Sequence, residues 1–191
     1  MATPTNLPAS QTTGNVLTAS DTNTYLANAG LVYVASTTFS ASSGVEMSNC
    51  FSSTFDNYEV HTTLYGSGTT NTAFQLMTGT NTKDTGATYN RVGWYWTTAF
   101  TNFNATAQTQ WFNANHGTTA AQYSNSQTTI FRPNVSGVRT ESRGNSYAGD
   151  SDLITYANYY TTTTTAYTGI YLFPSSGNIT GTITIFGYRK P

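Results

Sequence analysis

The residues that could do chemistry are few, and their spacing is uninformative. Glu46, Asp56, Glu59, Glu141, Asp150 and Asp152 are the carboxylates from which a glycan-cleaving acid and base would be drawn, and no spacing among them singles out a pair. Gly149-Asp150-Ser151-Asp152 offers hard oxygen ligands of the kind calcium takes, without the rest of an EF-hand loop, and reads first as a turn. His61 lies inside an alternating run and His116 precedes Gly117 in a polar stretch. Neither is expected to have a carboxylate partner or metal-ligand spacing, so they read as a strand histidine and a loop histidine. Cys50 is the single cysteine, which excludes an intrachain disulfide. Beside Met47 and Phe51, with no activating neighbour, it reads as a buried structural thiol. There is no Gly-x-Ser-x-Gly elbow, and Gly66-Ser67-Gly68 lacks the helix a phosphate loop needs. No catalytic residue, cofactor or metal site is expected.

Composition explains this scarcity. Only 8% of residues are charged, against about 25% in an average soluble domain. Net charge is −1, which supplies no electrostatic footprint for nucleic acid. No run is long and apolar enough for a membrane helix, so membrane insertion is not expected. The opening residues lack a charged and apolar leader, so the reading is a chain made in a cytosol without a signal peptide. Aromatics reach 14%, too many for disorder.

The elements that must position any site are strands. Residues 1–28 read as an extended arm, with Pro4 and Pro8 among threonines and a short helical turn near Asp21–Ala29. Residues 29–191 read as one domain. Asn57 to Tyr65 alternates, with Tyr58, Val60, Thr62 and Leu64 on one face and Glu59, His61, Thr63 and Tyr65 on the other. Gly66-Ser67-Gly68 followed by Thr72 to Met77 reads as its hairpin partner. Tyr89 to Trp96, Gln108 to Phe112, Thr128 to Phe131 and Leu153 to Tyr156 are further strands, and Ile179 to Tyr188 puts Ile179, Ile183 and Ile185 on one face. Tyr167 to Phe173 is nearly continuous in apolar residues and reads as a strand buried on both sides. Residues 134–151 read as a long loop, since they hold Gly137, Gly144 and Gly149 and much of the charge. Many short strands without an amphipathic helix make the fold all-β, an antiparallel sandwich or barrel. Val60, Leu64, Phe74, Leu76, Trp94, Ile170, Leu172, Ile183 and Ile185 are its expected core.

Trp94 and Trp96 share a face that reads as core, although exposed aromatics flanked by amides would make a sugar platform. Tyr159 and Tyr160 stand in a polar context and read as exposed. With Arg139, Arg143 and Tyr147 from the expected loop they are the candidate contacts for a ligand or partner.

Gly30-Leu-Val-Tyr33, Thr37-Thr-Phe39, Phe51-Ser-Ser-Thr-Phe-Asp-Asn-Tyr58 and the closing Ile179-Thr-Gly-Thr-Ile-Thr-Ile-Phe-Gly-Tyr-Arg-Lys190 together carry a resemblance. Over residues 30 to 190 the chain resembles β-sandwich virion structural proteins of tailed bacteriophages, tail-fibre and capsid-surface proteins among them. That resemblance implies a jelly-roll-like sandwich and a non-enzymatic role in the virion, as capsid decoration or as a tail or fibre component. It implies other copies of the same chain as partners, in a trimer, and other virion proteins. Residues 1–28 lie outside the resemblance; they hold too little apolar material to fold alone, so the arm is expected to lie on a neighbouring subunit or another virion protein, burying Leu7, Val16, Leu17, Tyr25 and Leu26. A carbohydrate-binding module, or a fibre-tip receptor-binding domain contacting a host-surface glycan, is the alternative.

Overall fold

Strands whose β-branched and aromatic residues alternate with threonine, serine and asparagine are apolar on one side and wettable on the other. The structure is a computed structural model that describes residues 30–68, 71–149 and 153–189. The expected arm, its helical turn and its five contact residues lie outside the described residues, as do Asp150 and Asp152. The first strands are β1 (Leu31–Ser42), β2 (Val45–Met47), β3 (Phe55–Gly66), β4 (Asn71–Gly79) and β5 (Thr82–Lys83). The middle of the chain gives β6 (Tyr89–Trp96), β7 (Phe100–Gln108), β8 (Trp111–Asn115) and β9 (Ser124–Phe131). The last are β10 (Glu141–Ala148), β11 (Leu153–Thr161), β12 (Gly169–Pro174) and β13 (Ile179–Arg189). No helix occurs among the described residues.

The strands form an antiparallel β-sandwich of jelly-roll-like character. One sheet has eight strands in the order β1-β13-β3-β9-β10-β11-β6-β7. The other has five, β2-β12-β4-β5 with β8 also paired to β4. Between them lies the core, where Val60, Leu64, Phe74, Leu76, Ile170, Leu172, Ile183 and Ile185 are each at most 1% exposed. Each such side chain contributes about 1.5–3 kcal/mol on burial. Cys50 sits in the same cluster, its Sγ donating to the Met47 carbonyl at 3.1 Å, and burial pushes its thiol up to about 12.

A buried polar knot joins the sheets beneath β9. Asn113 Nδ2 donates to Thr62 Oγ1 at 3.3 Å and Thr72 Oγ1 at 3.0 Å, and its Oδ1 accepts from Ser126 Oγ at 2.7 Å. These residues come from β8, β3, β4 and β9, so the knot fixes the central strands relative to each other.

Several expectations are corrected. β3 and β4 are not a hairpin: they belong to different sheets. The turn between them bonds elsewhere, Gly66 N to Gly117 O and Ser67 N to Asn178 O, which carries the chain across the sandwich. β12 is fully buried on only one face; the strand buried continuously is β4, from Thr72 to Met77. The strand expected from Gln108 begins at Trp111, and the expected loop 134–151 contains β10. His116 lies in the loop that follows β8, as expected, but it is buried there at 2% exposed, its ring standing where a Cβ on Gly66 would fall. Trp94 is not in the core; it lies on the outer face of the large sheet, half-buried.

Candidate ligand-binding face

Every second residue of the eight-stranded sheet points outward, and the register aligns these residues into rows. One row crosses all eight strands as Ser36, Thr184, His61, Gln127, Asn145, Tyr156, Trp94 and Asn102. On one side of it run Thr38, Thr182, Thr63, Asn125, Tyr147, Ile154, Trp96 and Phe100. On the other run Tyr33, Phe186, Glu59, Thr129, Arg143, Asn158, Val92 and Asn104. The half built by β1, β13 and β3 is rich in hydroxyls. The half built by β10, β11, β6 and β7 is rich in rings and carboxamides.

The rings form a connected group. Trp94 stacks on Tyr156 at 4.7 Å between centroids, and Phe100 meets Trp94 at 5.1 Å and Trp96 at 4.6 Å edge-on. Phe100 is 67% exposed and Tyr156 44%, so water reaches ring surface here. Isolated exposed apolar side chains are ordinary, but a contiguous set rimmed by amides marks an interaction surface.

Three adjoining hollows follow β10. The first, about 410 Å³, is lined by His61, Gln127, Asn145, Tyr147 and Tyr156 among others. Gln127, Asn145 and Tyr156 are shared with the second, about 220 Å³, which adds Thr129 and Arg143. Arg143 is shared with the third, about 400 Å³, which adds Phe131, Arg139, Glu141 and Tyr160. From Tyr147 to Glu141 the groove spans roughly 20 Å at about 3.3 Å per residue.

Two of its lining side chains, His61 and Gln127, are held by Glu59. This carboxylate is 5% exposed although it faces outward. His61 Nε2 donates to Oε1 at 2.5 Å, Gln127 Nε2 donates to Oε1 at 2.7 Å, and the Tyr188 hydroxyl donates to Oε2. Burial alone raises the Glu59 carboxyl; the bonds from Tyr188, His61 and Gln127 outweigh it, and the group sits below its ordinary value. Tyr188 is pushed up in turn, chiefly by its bond to that carboxylate. The expectation that His61 lacks a carboxylate partner is therefore corrected. Glu59, two positions earlier on the same face of the strand, was the signal that could have found it.

Of the candidate contacts, Tyr147, Arg143, Arg139 and Tyr160 line this groove, with the Arg139 guanidinium 5.9 Å over the Tyr160 ring. Tyr159 is the exception to its expected exposure. It points inward, is 5% exposed and packs against Trp111 at 5.7 Å. Strand alternation puts Tyr159 and Tyr160 on opposite faces, so the two cannot act as one pair. Gln127, Asn145, Tyr156 and the Trp94 group were not among the expected site residues. Among the described residues no three histidines, cysteines or carboxylates gather as a metal site would require.

No family model matches the chain, and no curated protein matches it. Among solved structures it is similar to the marine PL-14 alginate lyase from Aplysia kurodai, at 10% identity, 72% coverage of each chain and a TM-score of 0.32. It is also similar to a fructofuranosidase from Schwanniomyces occidentalis, at 5% identity over 84% of this chain and 34% of that one, with a TM-score of 0.24. Likenesses this slight carry no functional inference. No helix among the described residues is long and apolar enough to cross a membrane.

Proposed function

We propose that this chain is a non-enzymatic recognition protein of a phage particle, a tail, fibre or capsid-surface component whose large sheet binds host-surface carbohydrate along β10. One observation carries the glycan part: the outward groove in which Gln127 and Asn145 lie beside Tyr156 and its stacked neighbour Trp94. Sugar rings present apolar faces and a rim of hydroxyls. Exposed aromatic rings match the former, and carboxamides, which both donate and accept, match the latter. The virion setting is supported by the resemblance of residues 30 to 190. A glycan array probed with the full chain tests the reading. Binding that is lost on Tyr156→Ala supports it; an array blank for the folded wild type overturns it.

A second reading, assembly with other copies of itself in a trimer or with other virion proteins, is favoured by the sheet edges. Among the described residues β1 and β7 are the edges of the eight-stranded sheet, and neither contains a charged residue or proline, the usual devices against edge pairing. Bulges interrupt both, yet Ala35–Phe39 and Phe100–Ala105 remain regular. Light scattering behind size-exclusion chromatography checks it: a trimer is the expected mass, and a monomer at high concentration removes the self-assembly part.

A further inference from the structure

We propose that Arg143 is an anion subsite of this groove, and that the glycan taken there carries carboxylates, as chains containing uronic or sialic acids do; this rests on the glycan reading above. Arg143 faces outward from β10, the fifth strand in the order of the eight, where the second and third hollows meet. In the smaller of the two it is the one charged lining residue; the rest are Gln127, Thr129, Gly144, Asn145 and Tyr156. Its cross-strand neighbours, Thr129 and Asn158, are neutral.

The nearby carboxylates do not answer it. The ion pairs among the described residues are His61 with Glu59 and Lys83 with Glu46, and Arg143 is in neither. Glu59 is occupied by three donors. Glu141, two positions earlier on the same face, lines the third hollow together with Arg143, Arg139 and Tyr160 but makes no ion pair with Arg143, and it is absent from the second. A guanidinium flanked by two carboxamides and two hydroxyls presents donors to a planar, two-oxygen acceptor. Arginine engages a carboxylate through two parallel bonds, which a sugar hydroxyl cannot reproduce. The hollow's volume of about 220 Å³ is smaller than a drug-sized pocket and suits one acidic sugar unit within a longer chain.

The test uses the full chain in affinity electrophoresis against polygalacturonate, alginate, hyaluronate and polysialic acid. Each polymer is run beside its carboxyl-reduced form, and dextran sulfate serves as a sulfated, carboxyl-free control. The expected result is that at least one acidic polymer binds tenfold or more tightly than its reduced form. Arg143→Gln should erase that preference, bringing the acidic polymer down to the affinity of its reduced form, while leaving the melting temperature unchanged. Equal binding of both forms, a preference that survives Arg143→Gln, or retention by dextran sulfate alone overturns the subsite and leaves the glycan reading standing. A wild type that binds neither form of any polymer, nor any glycan on the array, removes both.

Discussion

Trp94 and Tyr156 sit directly opposite each other on β6 and β11, their rings inclined by 30°, and the next residue in the same row is Asn145. The stack therefore belongs to the sheet and to the groove at once. Beyond area burial, an aromatic pair of this kind contributes about 0.5–1.5 kcal/mol. The remainder of the Tyr156 surface is open to a ligand.

Tyr156→Ala should separate those two roles. The melting temperature should fall by only about 2–4 °C, corresponding to about 1 kcal/mol in a chain of this size, while glycan binding is lost. Tyr156→Phe should keep both the stack and most of the binding. Calorimetry and array binding on the same preparations check this; a variant that binds as the wild type does removes the ring from the site.

Leu172 and Ile183 face each other's sheets from within the core, each with 0% exposure. Leu172→Ala or Ile183→Ala should cost about 2–5 kcal/mol, read as a lower urea midpoint with an unchanged slope.

Glu59 makes stability depend on acid. Its folded carboxyl is held below its ordinary value of 4.5, so the unfolded chain takes up that proton more readily. The contribution is complete above the unfolded value and disappears as pH falls through the lower, folded one. Glu59→Gln removes this dependence. Between neutral pH and about pH 3 its urea midpoint should decline less than that of the wild type. Parallel decline in the two proteins would show that the carboxylate is not stabilised by its donors.

Gly93 has no room for a side chain. A Cβ there would lie 2.2 Å from the Tyr156 carbonyl oxygen and 2.8 Å from Ala157 Cα, both backbone atoms. Gly93→Ala should push β6 from β11, lower thermal stability and loosen the Trp94 stack, which near-ultraviolet circular dichroism reads directly. An unaltered aromatic spectrum would contradict the close approach.

How much of this was legible in the sequence depended on which face of each strand was unambiguous. In β3 and β13 the aliphatic residues fall on one side, and the expected faces are the observed ones. β6 has rings on both sides, so alternation predicts two rows without saying which is inside. Tyr89 decides it: its buried hydroxyl donates to the Asp84 carbonyl at 2.9 Å and accepts from Leu76 N at 3.0 Å. With Tyr89 held inside, period two sends Trp94 and Trp96 outward. β10 was hidden because its inward residues, Ser142, Ser146 and Ala148, are small or polar. They face β8, which carries the bulk itself in Trp111, so no apolar alternation marks the strand. The groove inherits this difficulty, since β10 is its axis. Arg139, Arg143, Tyr147 and Tyr160 stood out by residue type alone; Gln127 and Asn145 become visible only when β9 and β10 are placed side by side.

The place of β13 between β1 and β3 has a consequence for how the chain is born. Ser36 bonds to the carbonyl of Ile183, 147 positions later. At a translation rate of about 5–20 residues per second, β1 waits roughly seven to thirty seconds for its partner. β3 meanwhile can pair on only one side, with β9. An uncharged strand left open for that long is a template for the same strand on a neighbouring nascent chain. Synthesis, rather than the finished fold, is then the stage at which this strand is most open to pairing with another chain.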